Sequence, residues 1–225
     1  MAGRNGNEEI RMVSSSGGAF TLLAGEIIGR GGVVFGARFD ENWNVVHSYT
    51  ECTDGLAAFR GSKYVQSRIG ETFSQAEKFL KQGREVLFTG TPCQIAGLRR
   101  FLGKEYDNLL SMDIVCHGVP SPGVWKEYLK QTTQNLSPIG RIVGINFRDK
   151  RTGWKEYKLL TPYFVTGQRG SAYRKVLPEQ VYARIPRQFI SAAILSSMSV
   201  KIRQIRSRHY IGGLLGNRTY SAKAG

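Results

Sequence analysis

The sequence predicts an α/β fold, a mixed or mostly parallel sheet with flanking helices. Three observations carry this. Short apolar runs of strand length, Val86–Thr89 and Leu109–Val115, are separated by a stretch of helical period. Each run ends in a turn of Gly, Pro and polar residues that opens a helix. The order strand, turn, helix, strand, turn, helix is that of a βαβ unit, whose two strands are parallel neighbours.

The elements follow in chain order. Residues 1–13 are polar and without periodicity. Ser14–Gly18 leads into a helix whose stripe is Phe20, Leu23, Ile27 and Ile28. Val33–Phe39 and Val45–Tyr49 flank Asp40–Asn44 and read as a β-hairpin. Cys52 and Asp54 fall in a loop, and Cys52 has no partner in any motif. Arg60–Ser67 is a basic loop with a Gly-Ser turn. Ser74 to Glu77 forms a capping box for a helix to Gln82, with Gly83 as its stop. In the central unit Gly90 and Pro92 end the first strand. The helix from Cys93 places Ile95, Leu98, Phe101 and Leu102 on one face, and Gly103 stops it. Ser121–Pro122 caps a further helix carrying Trp125, Tyr128 and Leu129. Ile142–Phe147 and Tyr157–Phe164 read as strands.

Composition narrows the classes. The chain has 225 residues, 41% of them hydrophobic, which is enough for one or two domains with a sizeable core. No apolar run approaches the roughly 20 residues that span a bilayer, so no membrane segment is expected. Three cysteines make no disulfide framework and fit a reducing cytoplasm. The net charge of +15 ordinarily suggests nucleic acid, but its distribution argues otherwise. Residues 168–225 hold 11 Lys or Arg against one acid, whereas the first 167 residues hold 21 against 16. The charge belongs to the tail, and no nucleic-acid partner is expected.

Cys93 in GTPCQ and Cys116 in DIVCHG each follow a strand of the central unit, so parallel strands would bring both thiols to the carboxyl edge of the sheet. Three roles are open to Cys93 on the residues alone: nucleophile, metal or cluster ligand, or small buried hydrophobe. A nucleophilic pair with His117 lacks an orienting third group and an oxyanion hole. Ser14, Ser15, Ser16, Gly17 and Gly18 at a helix start offer N–H groups and hydroxyls to an anion, against the plain alternative of a capped helix after a flexible entry. No GxGxxG follows a strand, so a Rossmann site is unsupported.

The strings GTPCQIAGLRRFL and NLLSMDIVCHGVPSPGVWKEYL resemble the beta-subunit family of coenzyme F420 hydrogenases and dehydrogenases. SSSGGAFT, RGSKYVQS and INFRDKRTGW match it in the same order, so the resemblance runs from about Glu8 to about Gln168. It implies a flavin- and iron–sulfur-dependent electron-transfer oxidoreductase subunit. It further implies a FAD site drawn from Ser14–Gly18, Lys63, Tyr64, Gly90, Thr91 and Gln94. Cys93 and Cys116 would be two of four thiolates of a [4Fe–4S] cluster. The partners implied are a redox subunit or ferredoxin, with either the deazaflavin coenzyme F420 or another acceptor.

Both ends depart from the family pattern. The ferredoxin-like segment that commonly precedes residue 14 is absent. The closing RPSCxxC-like run and the string SDITLADFWGIE do not occur, yet both can be read one nucleotide later. Codons available to Arg208–Arg218 spell DITLADFWGI in the shifted frame, and those for Ala192–Ser199 can spell RPSCHQC. The ending is thus expected to be frameshifted, poorly packed and without the two cysteines, so a cluster is not expected to assemble stably in this chain. The domain reading is a linker remnant at 1–13, an N-terminal beta-subunit domain at 14–84, a partial C-terminal one at 85–167, and an atypical basic tail at 168–225. The alternative is a non-catalytic product, at most a weak flavin-binding module.

Overall fold

The structure is a computed structural model that describes residues 4–116, 118–134, 141–148, 159–168, 171–176 and 200–201. Its elements are α1 (Glu8–Val13), α2 (Ala19–Gly29), β1 (Val33–Phe39), β2 (Val45–Thr50), α3 (Leu56–Phe59), α4 (Thr72–Lys81), β3 (Val86–Gly90), α5 (Pro92–Leu102), β4 (Leu109–Ile114), α6 (Pro122–Gln134), β5 (Arg141–Arg148), β6 (Leu159–Gln168), β7 (Ser171–Val176) and β8 (Val200–Lys201).

The sheet that positions the site has the order β2-β1-β3-β4-β8. β1, β3 and β4 are parallel neighbours, while β2 and β8 pair antiparallel at its two ends. The mixed, largely parallel sheet expected from the βαβ pattern is the one observed. Alternation along the strands feeds two cores. Val33, Phe35, Val86 and Phe88 pack with Ala76 and Leu80 of α4 and with Ile95, Leu98 and Leu102 of α5. On the opposite face Val34, Leu87, Leu110 and Met112 pack with Ala24 and Ile27 of α2 and with Leu56 and Phe59 of α3. β3 is buried along its whole length, which is why Val86–Phe88 is an unbroken apolar run and the buried Thr89 hydroxyl donates to Phe35 O rather than to solvent.

A second, three-stranded antiparallel sheet has the order β5-β6-β7. Phe147 of β5 joins it to the first unit through an aromatic cluster with Val45, Val65, Trp125 and Tyr128. β7 and β8 fall within the segment read as an atypical tail; the remainder of residues 177–225, like His117, lies outside the described residues.

Several boundaries differ from the sequence reading. Residues 8–13, read as aperiodic, form α1 because the Asn7 side chain accepts the N–H of Ile10. α4 begins at Thr72 rather than at Ser74, and the Ser74 hydroxyl turns back to Glu71 instead of capping. Phe101 is half-exposed, its ring against that of Phe73, because its position on α5 lies beside the buried Leu98–Leu102 stripe. The four-residue α3 carries too short a pattern to be visible in sequence.

Candidate functional site

The carboxyl edge of β1, β3 and β4 is where the chain gathers its polar loops. α5 leaves that edge directly from β3. Thr91 is extended at its N-cap, Pro92 sits at the first helical position, and the Gln94 side chain accepts the N–H of Thr91 at 3.0 Å. α2 reaches the same edge from the other face. It runs into β1 through a short turn and packs against it, so its N-terminus lies at the strands' far end. Gly18 adopts φ 77°, a left-handed conformation open to glycine, and no side chain caps the first turn of α2. The Ser14–Gly18 loop is pinned by Asn5, whose N–H donates to Gly17 O at 2.7 Å.

The two helix starts stand on opposite faces of the sheet, and the Arg60–Ser67 loop spans between them. At one end Ser62 Oγ donates to Ser15 Oγ at 2.7 Å, and Arg60 Nε donates to Thr21 Oγ1 at 3.2 Å. At the other end Gln94 Nε2 donates to Ser67 Oγ at 2.8 Å. Three segments far apart in sequence are thereby stitched over one edge. This is the crevice position that open α/β sheets use for ligands.

Not every residue read from the sequence faces that crevice. Lys63 Nζ donates to the carbonyls of Ala58 and Arg60, both at 2.9 Å, and more weakly to Gly61. Burial pushes Lys63 down to about 7. The three carbonyls accept from the ammonium. Lys63 therefore closes the end of α3. Tyr64 stands edge-on to Phe147, 5.5 Å between ring centres, in the aromatic cluster. Gly90 is needed where it is: a Cβ there would come within 3.0 Å of Gln94 Oε1 and 3.2 Å of Gln94 Cβ.

Cys93 is exposed in the first turn of α5, with Thr91 Oγ1 3.1 Å from its sulfur. Cys116 is half-buried and its sulfur accepts the N–H of Gly118 at 3.4 Å. Gly90 and Asp113 are register partners on β3 and β4, so each cysteine lies three residues beyond a matched position. Among the described residues, no three His, Cys, Asp or Glu side chains come together as a metal site.

Sequence reasoning missed His47, Ser67 and the bridging role of Arg60. His47 is 7% exposed, with Nε2 2.9 Å from Thr89 O and Nδ1 2.9 Å from Ser67 Oγ. Burial lowers its pKa below 6.5, helped by the nearby Lys63 charge and opposed by the Thr89 carbonyl. Its inward position, two residues from Val45 on a strand, was the available signal. His47 also borders a cleft of about 360 Å³ with Asp40, Arg68, Glu71 and Gln75 beside β2. None of the residues read as cofactor-binding lines it, and it is at the small end of the roughly 300–1,000 Å³ that small-molecule sites occupy.

Residues 83–161 match a family described as the C terminus of the coenzyme F420 hydrogenase/dehydrogenase beta subunit. The matched segment contains Gly90, Thr91, Cys93, Gln94 and Cys116; Ser14–Gly18 and the Arg60–Ser67 loop precede it. No curated protein matches the chain. Among solved structures, a chain of the F420-reducing [NiFe] hydrogenase complex from Methanosarcina barkeri is similar, at 16% identity and a TM-score of 0.47. The alignment covers 80% of this chain and 60% of that one.

Proposed function

We propose that the chain is an electron-transfer oxidoreductase module of the beta-subunit type, with a flavin dinucleotide over the carboxyl edge and an iron–sulfur centre beside Cys93 and Cys116. The observation that carries it is the stitching of Ser15 to Ser62 and of Ser67 to Gln94 across that edge. The phosphate end fits the residues present. The first turn of α2 has no side-chain cap, and Arg60, bonded to Thr21 in that turn, supplies a cation. The hydroxyls of Ser15, Ser16 and Ser62 lie in the two loops that meet there. Arg60 thus takes the role first read for Lys63, whose ammonium is engaged by α3.

When bound, a flavin supplies hydride and one-electron chemistry that no side chain of this chain has. The chain's own residues bind and orient: the Ser14–Gly18 loop and Arg60 hold the anion, and the Thr91–Gln94 turn fixes the sheet edge. For a cluster, Cys93 and Cys116 supply two thiols beside this edge. That favours, as a second reading, a module that binds flavin weakly and turns nothing over. The partners proposed are a redox subunit or ferredoxin, with a deazaflavin as acceptor. A cytoplasmic location accords with three unpaired cysteines, and among the described residues no helix is long and apolar enough to cross a membrane.

Titrating the purified chain with FAD, followed by quenching of flavin fluorescence, tests the reading. Binding that weakens about tenfold in Arg60→Ala is expected. No binding, or binding indifferent to Arg60, overturns it. Turnover of reduced deazaflavin with an artificial acceptor separates the active module from the inert one.

A further inference from the structure

A chain of four hydrogen bonds runs from the start of α5 to the end of β3, and its direction is set by its two ends. The N–H of Thr91 can only donate, and the carbonyl of Thr89 can only accept. Thr91 N–H gives to Gln94 Oε1 at 3.0 Å, which leaves the Gln94 amide nitrogen to give to Ser67 Oγ at 2.8 Å. Ser67 then has its proton for His47 Nδ1, 2.9 Å away, and His47 Nε2 carries the proton given to Thr89 O at 2.9 Å. Every donor points the same way and every partner is used. A neutral ring, which burial favours, fits this chain with its proton on Nε2. Turning the Gln94 amide over would set an NH₂ group against the Thr91 N–H, so the carboxamide has one orientation.

We propose that His47 is a positioning residue, which through Ser67 and the oriented Gln94 carboxamide holds the Thr91–Cys93 turn in place at the sheet edge. The assignment concerns the chain's own atoms and depends on no bound group. A second proton on Nδ1 would compete with the Ser67 proton for the same contact and release the hydroxyl from the chain. The surroundings oppose that proton. The Phe88 ring stacks on the imidazole at 5.6 Å, and the charge of Lys63 disfavours a second cation. Asp40, Glu71 and Arg68 border the cleft that His47 also lines, so two acids and one base face it from that side.

The polarity makes a sharp test. In Gln94→Glu the carboxylate still accepts from Thr91 N–H but can no longer donate, so it takes the Ser67 proton. Ser67 then turns a lone pair to Nδ1, while Thr89 O still needs a proton on Nε2. The network is satisfied only by an imidazolium. Imidazole-nitrogen NMR on the full chain, with the His47 signal identified by its loss in His47→Gln, reads this directly. The expected result is an Nε2–H neutral ring in the wild type, with a midpoint below that of a free imidazole, and a midpoint raised above it in Gln94→Glu. An ordinary imidazole titration in the wild type, or the same midpoint in both proteins, overturns the proposal. Should Gln94→Glu fail to fold, Ser67→Ala removes the oxygen that Gln94 and His47 share. Alkylation of Cys93 should then accelerate at least about threefold while Cys52, remote from the network, serves as the unchanged reference. Equal rates in Ser67→Ala and wild type would refute the positioning role.

Discussion

Gly90 and Asp113 are paired in register on adjacent parallel strands, and each is followed three residues later by a cysteine. The two cysteines thus follow neighbouring strand ends, Cys93 in the first turn of α5 and Cys116 in the loop after β4. A trivalent arsenical, which needs two thiols at close range, should be captured by this pair. With Cys52 replaced by Ser, one equivalent is expected to bind, and either Cys93→Ser or Cys116→Ser should abolish it. Stoichiometry by mass spectrometry checks this; capture that survives loss of one cysteine sinks the pairing.

The neutral state of His47 makes stability depend on pH. Its folded pKa lies below the unfolded value of 6.5, so the unfolded chain takes up the proton first as pH falls. This contribution is fully present above about pH 6.5 and is lost as pH falls through the folded value. Urea midpoints should decline between pH 8 and pH 5.5, and His47→Gln should flatten that slope. A wild-type slope unchanged by the substitution would show that other groups produce it.

Lys63 supplies the proton donors for three carbonyls at the end of α3. Removing the ammonium in Lys63→Met leaves those acceptors without their partner, at a cost of about 1–3 kcal/mol. The loss should appear in the denaturation midpoint, with flavin affinity reduced far less than in Arg60→Ala. The reverse order would return Lys63 to the anion site.

Gly32 sits where α2 turns into β1. A Cβ there would lie 2.7 Å from Ile27 O and 2.8 Å from Glu85 O, both backbone atoms that cannot swing aside. Gly32→Ala should destabilise the fold by about 1–3 kcal/mol through overpacking. Gly25→Ala, on the open side of α2 with nothing within 4 Å, is the control and should be neutral or slightly stabilising. Equal thermal midpoints for the two variants would contradict the packing described.

The local order of the fold was legible in the residues. Strand, turn and helix from Val86 to Pro122 could be read off because burial on both faces makes β3 continuously apolar, and because Pro92 and Gly103 mark helix ends by backbone geometry alone. The same local signals placed the hairpin at Asp40–Asn44 and the two cysteines after their strands. Which side chains meet across the edge is set only when the chain folds. Lys63 and Arg60 are both basic residues of one loop, and nothing in their spacing says which turns inward to carbonyls and which reaches Thr21. His47 lies 42 residues from Thr89 and 20 from Ser67, so its part in the network arises only when β2, β3 and the loop are brought together. Hydrogen-bond direction depends on that assembly, because a donor has no preferred acceptor until folding removes water as the alternative.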